Sequence, residues 1–78
     1  MFLPHLYRIL LGSPANGLLA FALRREISAV RRIGEGEFED LLTTQQAKGR
    51  ITIEADEDFG DRRVKLTEAG REAAQRIV

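Results

Sequence analysis

The sequence predicts an α+β domain with three helices, a two-stranded antiparallel hairpin and a closing helix. Residues 51–54 and 63–66 each alternate apolar and polar side chains, the pattern of strands that bury one face. The polar, glycine-containing segment 56–61 between them has the composition of a hairpin loop. Thr67 then offers a good N-cap for a further helix. At 78 residues, this order of elements is typical of a winged helix-turn-helix domain.

Apolar residues at the spacing of one helix face predict the first two helices. The first helix carries Leu3, Leu6, Tyr7, Leu10 and Leu11. It tolerates Pro4 in its first turn, and Gly12-Ser13-Pro14 ends it. The second helix carries the stripe Leu19, Leu23, Ile27 and Val30.

The third helix is predicted to begin near Glu37, after the interruption Gly34-Glu35-Gly36. Lys48-Gly49 ends it, because glycine accepts the left-handed conformation that often follows a helix. Its expected buried residues are Phe38, Leu41 and Leu42, with Gln45 or Ala47 at the far end. The closing helix is expected to bury Ala69, Ala73 and Ile77.

Length and composition predict one domain over residues 1–78, and 44% of the residues are apolar. Without cysteine we expect no disulfide or thiolate metal site, and the single histidine, His5, makes no convincing metal site. No nucleophile elbow or phosphate loop is present, so neither an enzyme nor a cofactor is predicted. The apolar run 18–23 is too short to cross a bilayer, and the opening residues lack a signal peptide's basic start. We therefore expect a cytoplasmic protein.

The net charge of zero conceals a segregation of charge along the chain. Residues 1–34 carry five arginines and one glutamate, residues 35–61 carry nine acids and two bases, and residues 62–78 carry five bases and two acids. Basic surface attracts the phosphates of nucleic acid, whereas the acidic segment repels them.

The segment from Lys48-Gly49-Arg50-Ile51 to Leu66-Thr67-Glu68-Ala69-Gly70-Arg71 resembles winged-helix transcription regulators of the PadR and MarR type. In those families a similar glycine turn leads into the wing, and the wing returns into a Leu-Thr-x-x-Gly-Arg helix start. Residues 7–17 also resemble the PadR type in their helix, Gly-Pro turn and following glycine. The resemblance covers most of the chain and implies a regulator that binds double-stranded DNA. Two features depart from it: the third helix lacks the usual basic and aromatic residues, and the long C-terminal dimerisation helices do not follow.

Candidate DNA contacts lie on the wing, the third helix and the second helix. In the resembled families a basic wing reaches the minor groove or the phosphates, which suits arginine. Glutamine can pair with adenine, threonine can contact phosphate or a thymine methyl group, and arginines on a supporting helix can hold the backbone. The wing candidates are Arg62, Arg63 and Lys65. The third-helix candidates are Thr43, Thr44, Gln45 and Gln46, and the second-helix candidates are Arg24, Arg31 and Arg32.

Each candidate group can also be explained without DNA, by contacts within the protein. The wing arginines can pair across the hairpin with Asp56, Glu57, Asp58 or Asp61. The start of the third helix carries Glu37, Glu39 and Asp40, which would repel phosphate, and the second-helix arginines can neutralise these acids. The alternative function is therefore a protein–protein interaction module whose acidic third helix and wing tip bind a basic protein.

Two further expectations concern exposed apolar residues. The terminal helices, with Phe2, Leu3 and Leu6 at one end and Ala73 and Ile77 at the other, are expected to form a homodimer, since two-fold symmetry suits paired DNA half-sites. Phe59, in the acidic tip of the wing, is expected to pack back onto the hairpin.

Overall fold

The computed structural model describes residues 2–77, which form four α-helices and three β-strands. The strands make one antiparallel sheet in the order β1-β3-β2. The helices α2 and α3 lie beside the β2–β3 hairpin, which is the wing, so the arrangement is that of a winged helix. The elements are α1 (Leu3–Leu11), β1 (Leu18–Leu19), α2 (Ala20–Val30), α3 (Glu35–Ala47), β2 (Ile51–Asp56), β3 (Asp61–Leu66) and α4 (Glu68–Ile77).

The wing has the alternation that the sequence predicts. Ile51 is opposite Leu66, and Ile53 is opposite Val64. These four side chains share one face of the hairpin; Ile51 and Val64 are buried, and the other two pack half-buried against the core. The hairpin is therefore part of the domain's hydrophobic core at its base.

The short strand β1 is an element that the sequence did not predict. It pairs Leu18 with Val64 and Leu19 with Arg63 on the free edge of β3. Gly17 permits this close approach, because its φ is +80° and a Cβ there would lie 2.1 Å from the Val64 carbonyl oxygen. The strand places the start of α2 directly beside the wing.

The first turn of α2 is capped from the wing. No side chain near its own N-terminus caps the helix. Instead, the Asp61 carboxylate accepts a hydrogen bond of 3.0 Å from the Phe21 backbone N–H. A carboxylate is favourable at a helix N-terminus because it meets unpaired N–H groups and the positive end of the helix dipole.

A close approach to the turn before β2 fixes the closing helix, α4. Thr67 Oγ1 accepts a hydrogen bond from the Gly70 N–H at 3.0 Å and donates one to the Gly49 carbonyl at 2.7 Å. The Thr67 N–H also donates to the Arg50 carbonyl at 3.0 Å. A Cβ on Gly70 would lie only 1.7 Å from that carbonyl oxygen. The Thr-x-x-Gly sequence thus both caps the helix and leaves room for the neighbouring backbone.

Four sequence-based expectations about burial are wrong. The buried residues of α4 are Gly70 and Ala74, because the contact at Gly70 sets which face turns inward. Ala69 is exposed, Ala73 is half-buried and Ile77 is 41% exposed. Val30 is 62% exposed because α2 ends there, and Ile33 is buried in its place. Leu6 is fully buried, so it offers no apolar surface for the expected dimer, and Phe59 is 65% exposed and does not pack back onto the hairpin. Of the two alternatives at the end of α3, Gln45 is buried and Ala47 is exposed.

Among residues 2–77, no helix combines the length and the apolar character needed to cross a membrane.

Candidate nucleic-acid interface

Arg62 of the wing is bound to the third helix. It lies on the same face of β3 as Val64, the face toward the helices. Two of its nitrogens donate to the two carboxylate oxygens of Glu39 in α3, at 2.8 and 2.6 Å. This bidentate hydrogen bond lowers the pKa of Glu39 and raises that of Arg62, so both groups stay charged near neutral pH. The partner is thus on α3 and not across the hairpin, where the interpretation without DNA placed it.

The other two wing bases pair across the hairpin. Nε and Nη2 of Arg63 both donate to Oδ2 of Asp56, at 3.0 and 2.8 Å, and this lowers the pKa of the Asp56 carboxyl. Lys65 Nζ lies 4.0 Å from a carboxylate oxygen of Glu54. The outer face of the wing therefore carries its positive charges beside matched negative ones. The Arg63–Asp56 pair is one that the sequence offered as the interpretation without DNA, whereas the contact between Lys65 and Glu54 was not predicted.

The third helix exposes three of its four candidate residues and buries the fourth. Thr43, Thr44 and Gln46 are exposed. Gln45 is only 3% exposed, and its side-chain oxygen accepts a hydrogen bond from the Tyr7 hydroxyl. The Arg50 guanidinium donates to the same hydroxyl at 3.3 Å. Gln45 therefore holds α3 to α1 in this structure and does not face a base edge.

Acidic residues share the exposed face of α3 with these threonines. Glu37 and Asp40 are exposed, and Glu37 accepts a hydrogen bond of 3.3 Å from the Gly34 N–H at the start of the helix. The side chain of Asp40 lies one helical turn from both Thr43 and Thr44. A phosphate that approaches these threonines therefore meets a negative charge at short range.

The arginines of α2 and the turn after it are among the cations that form no ion pair within the described residues and so are free to bind phosphate. None of Arg24, Arg25, Arg31 and Arg32 forms a salt bridge within the described residues 2–77. Arg24 lies near enough to Glu39 to lower the pKa of that carboxyl. Arg31 lies 5.3 Å over the ring of Phe2, a cation–π contact.

Two grooves were not predicted, because each forms only where helices meet. One, of about 350 Å³, has apolar walls from Phe2, Leu3 and Leu41 and is bordered by Glu37 and Asp40. The other, of about 430 Å³, lies between α1 and α2. The segregated charge of the chain was the one related sequence signal, since it put acids at the start of the third helix and arginines on the second.

Comparison with known proteins establishes the fold and no more. No protein-family model matches the chain, and no curated protein sequence matches it. A solved structure described as the crystal structure of SSV1 F-93 is similar, with a TM-score of 0.76. The similarity covers 99% of this chain and 82% of that chain at 18% sequence identity. It confirms the α+β winged-helix class, while the resemblance to PadR and MarR regulators stays a prediction.

Proposed function

We propose that this winged helix binds double-stranded DNA as a small transcription regulator, using α2 and the exposed face of α3. One observation supports this most: Arg24 and Arg31 form no salt bridge within residues 2–77, and each lies near a residue that belongs to α3 or borders it. Arg24 lies beside Glu39, and Arg31 lies against Phe2, which borders the same groove as Thr44. Arginines placed in this way can hold two phosphates while α3 lies in the major groove.

The wing has a smaller part in this proposal than the sequence suggested. To reach phosphate, Arg62 has to leave Glu39 and Arg63 has to leave Asp56. Guanidinium binds phosphate and carboxylate with the same bidentate geometry, so the exchange is chemically possible. It leaves two carboxylates without partners near the DNA backbone, however, and that repulsion offsets much of the gain.

A salt titration of binding to random duplex DNA, read by fluorescence anisotropy, tests the proposal. The double variant Arg24→Gln/Arg31→Gln should weaken binding and reduce the slope of log affinity against log salt by about two phosphate contacts. Arg71→Gln/Arg76→Gln on α4 is the matched control, since it removes the same charge from exposed positions. No binding at low salt, or an equal effect of both pairs, would argue against the assigned surface.

The alternative is a protein-interaction module that binds a basic partner, and the groove beside α3 favours it. Its apolar walls from Leu3 and Leu41 lie next to the carboxylates of Glu37 and Asp40, a surface that complements a basic, amphipathic segment. Asp40→Asn separates the two functions by the sign of its effect. It should strengthen DNA binding, because a repulsive charge is removed, but weaken the binding of a basic amphipathic peptide.

A further inference from the structure

The tip of the wing presents an aromatic side chain that the DNA-binding proposal does not use. Phe59 is 65% exposed. Its turn is held by a hydrogen bond of 3.2 Å from the Asp58 N–H to the Asp56 carboxylate, and Gly60 adopts a φ of +63°. Glu57 and Asp58 are exposed on the same turn. An exposed aromatic ring presented by such a turn can anchor an interface.

A groove of the opposite character lies between α1 and α2. Its volume is about 430 Å³, and Ile9, Leu18 and Ala22 give it an apolar lining. Arg8, Arg25 and Glu26 lie on its border, and the two arginines form no salt bridge within residues 2–77. The groove is large enough for an aromatic side chain, and two arginines against one glutamate give its border a net positive charge, opposite to that of the wing tip.

We propose that the protein self-associates by placing the wing tip of one copy in the α1–α2 groove of another. The Phe59 ring then covers the apolar lining, and Asp58 and Glu57 lie near Arg25 and Arg8. The tip is poorly suited to DNA, since its two free carboxylates would face phosphate. A second copy, in contrast, carries the complementary groove, and the net charge of zero means that two copies do not repel each other overall.

This contact differs from the homodimer through the terminal helices that the sequence suggested. It uses neither Ile77 nor Ala73, and it lies away from the exposed face of α3. Its test is independent of DNA binding, because it measures the mass of the protein in the absence of DNA.

Sedimentation equilibrium of the whole chain, from micromolar to about millimolar concentration, tests the proposal. Wild type should show a mass above that of the monomer as concentration rises. Phe59→Ala should weaken association roughly ten- to a hundredfold, the range expected for exposing one buried phenyl group. Val30→Ala is the control, because it removes an apolar side chain of similar exposure, 62%, and should leave the mass unchanged.

A charge exchange identifies the groove as the binding partner. Asp58→Arg and Arg25→Glu should each weaken association, and the double variant should restore it, since each copy then carries both reversed charges. Asp58→Arg should leave the turn intact, because its hydrogen bond joins the Asp58 backbone N–H to the carboxylate of Asp56. A wild-type monomer at every concentration, equal masses for Phe59→Ala and wild type, or a double variant no better than the single ones would each overturn the proposal.

Discussion

Replacing Gly70 by alanine is expected to destabilise the domain by about 2–4 kcal/mol, even though alanine is the better helix former by about 1 kcal/mol. The new Cβ would lie 1.7 Å from the Arg50 carbonyl oxygen, whereas real Cβ atoms essentially never come within 3.0 Å of a neighbour. The helix α4 must therefore withdraw by at least about 1.3 Å, by the difference of these distances. That movement breaks the hydrogen bonds from Thr67 to the carbonyls of Arg50 and Gly49. Two lost hydrogen bonds cost about 2 kcal/mol, and the forced shift adds about 1–3 kcal/mol.

Gly36→Ala is the matched control for this experiment. Gly36 also lies in a helix, but a Cβ there meets no atom within 4 Å. The same substitution should therefore stabilise the protein, by up to about 1 kcal/mol. Thermal unfolding followed by circular dichroism measures both effects. For a domain of this size, the Gly70→Ala midpoint should fall by roughly 10–30 °C. If Gly70→Ala unfolded at or above the wild-type midpoint, α4 would not be seated against Arg50 as described.

The remaining predictions concern a buried and an exposed polar contact. Tyr7→Phe should cost about 1–3 kcal/mol in urea unfolding, because the buried oxygen of Gln45 loses its hydrogen-bond donor; an unchanged midpoint would contradict this role. Arg62 lowers the pKa of Glu39 below its ordinary 4.5, so their pairing stabilises the fold fully above that pH and the stabilisation is lost as pH falls through the lowered pKa. Glu39→Gln should accordingly lose less stability than wild type between neutral and acidic pH. If the free energies of unfolding of the two proteins fell in parallel with pH, the Arg62–Glu39 pair would not contribute as described.

The wing and its closing helix were predictable because their signals are local. Alternation over residues 51–54 and 63–66 is a property of consecutive side chains, and Thr67 caps a helix that begins at the next residue. The strand β1 has two residues, which is too short for any alternation to be seen. Its existence depends on the free edge of β3, and that edge is defined only after the chain has folded.

The residues of the candidate site could be predicted from the sequence, but the partners that their side chains contact could not. Helical spacing already placed Gln45 at the edge of the buried stripe, so sequence offered it both as a core residue and as a base contact. Only the position of Tyr7 on another helix decides between them. For Arg62 the sequence offered a DNA contact or a pair with acids of its own hairpin, because those acids are near in sequence. Glu39 is 23 residues away and reaches Arg62 only through the packing of α3 against the wing.

The hydrogen bond from Phe21 to Asp61 has a consequence for how the protein is made. The residue that completes the first turn of α2 lies 40 positions further along the chain. At about 5–20 residues per second, a ribosome needs roughly 2–8 seconds to extend the nascent chain from one to the other. During that interval α2 lacks its cap and the sheet lacks the strand that β1 pairs with. The domain should therefore acquire its structure in a single late event, once β3 has left the exit tunnel, and a chain released before Asp61 would be left open to proteases.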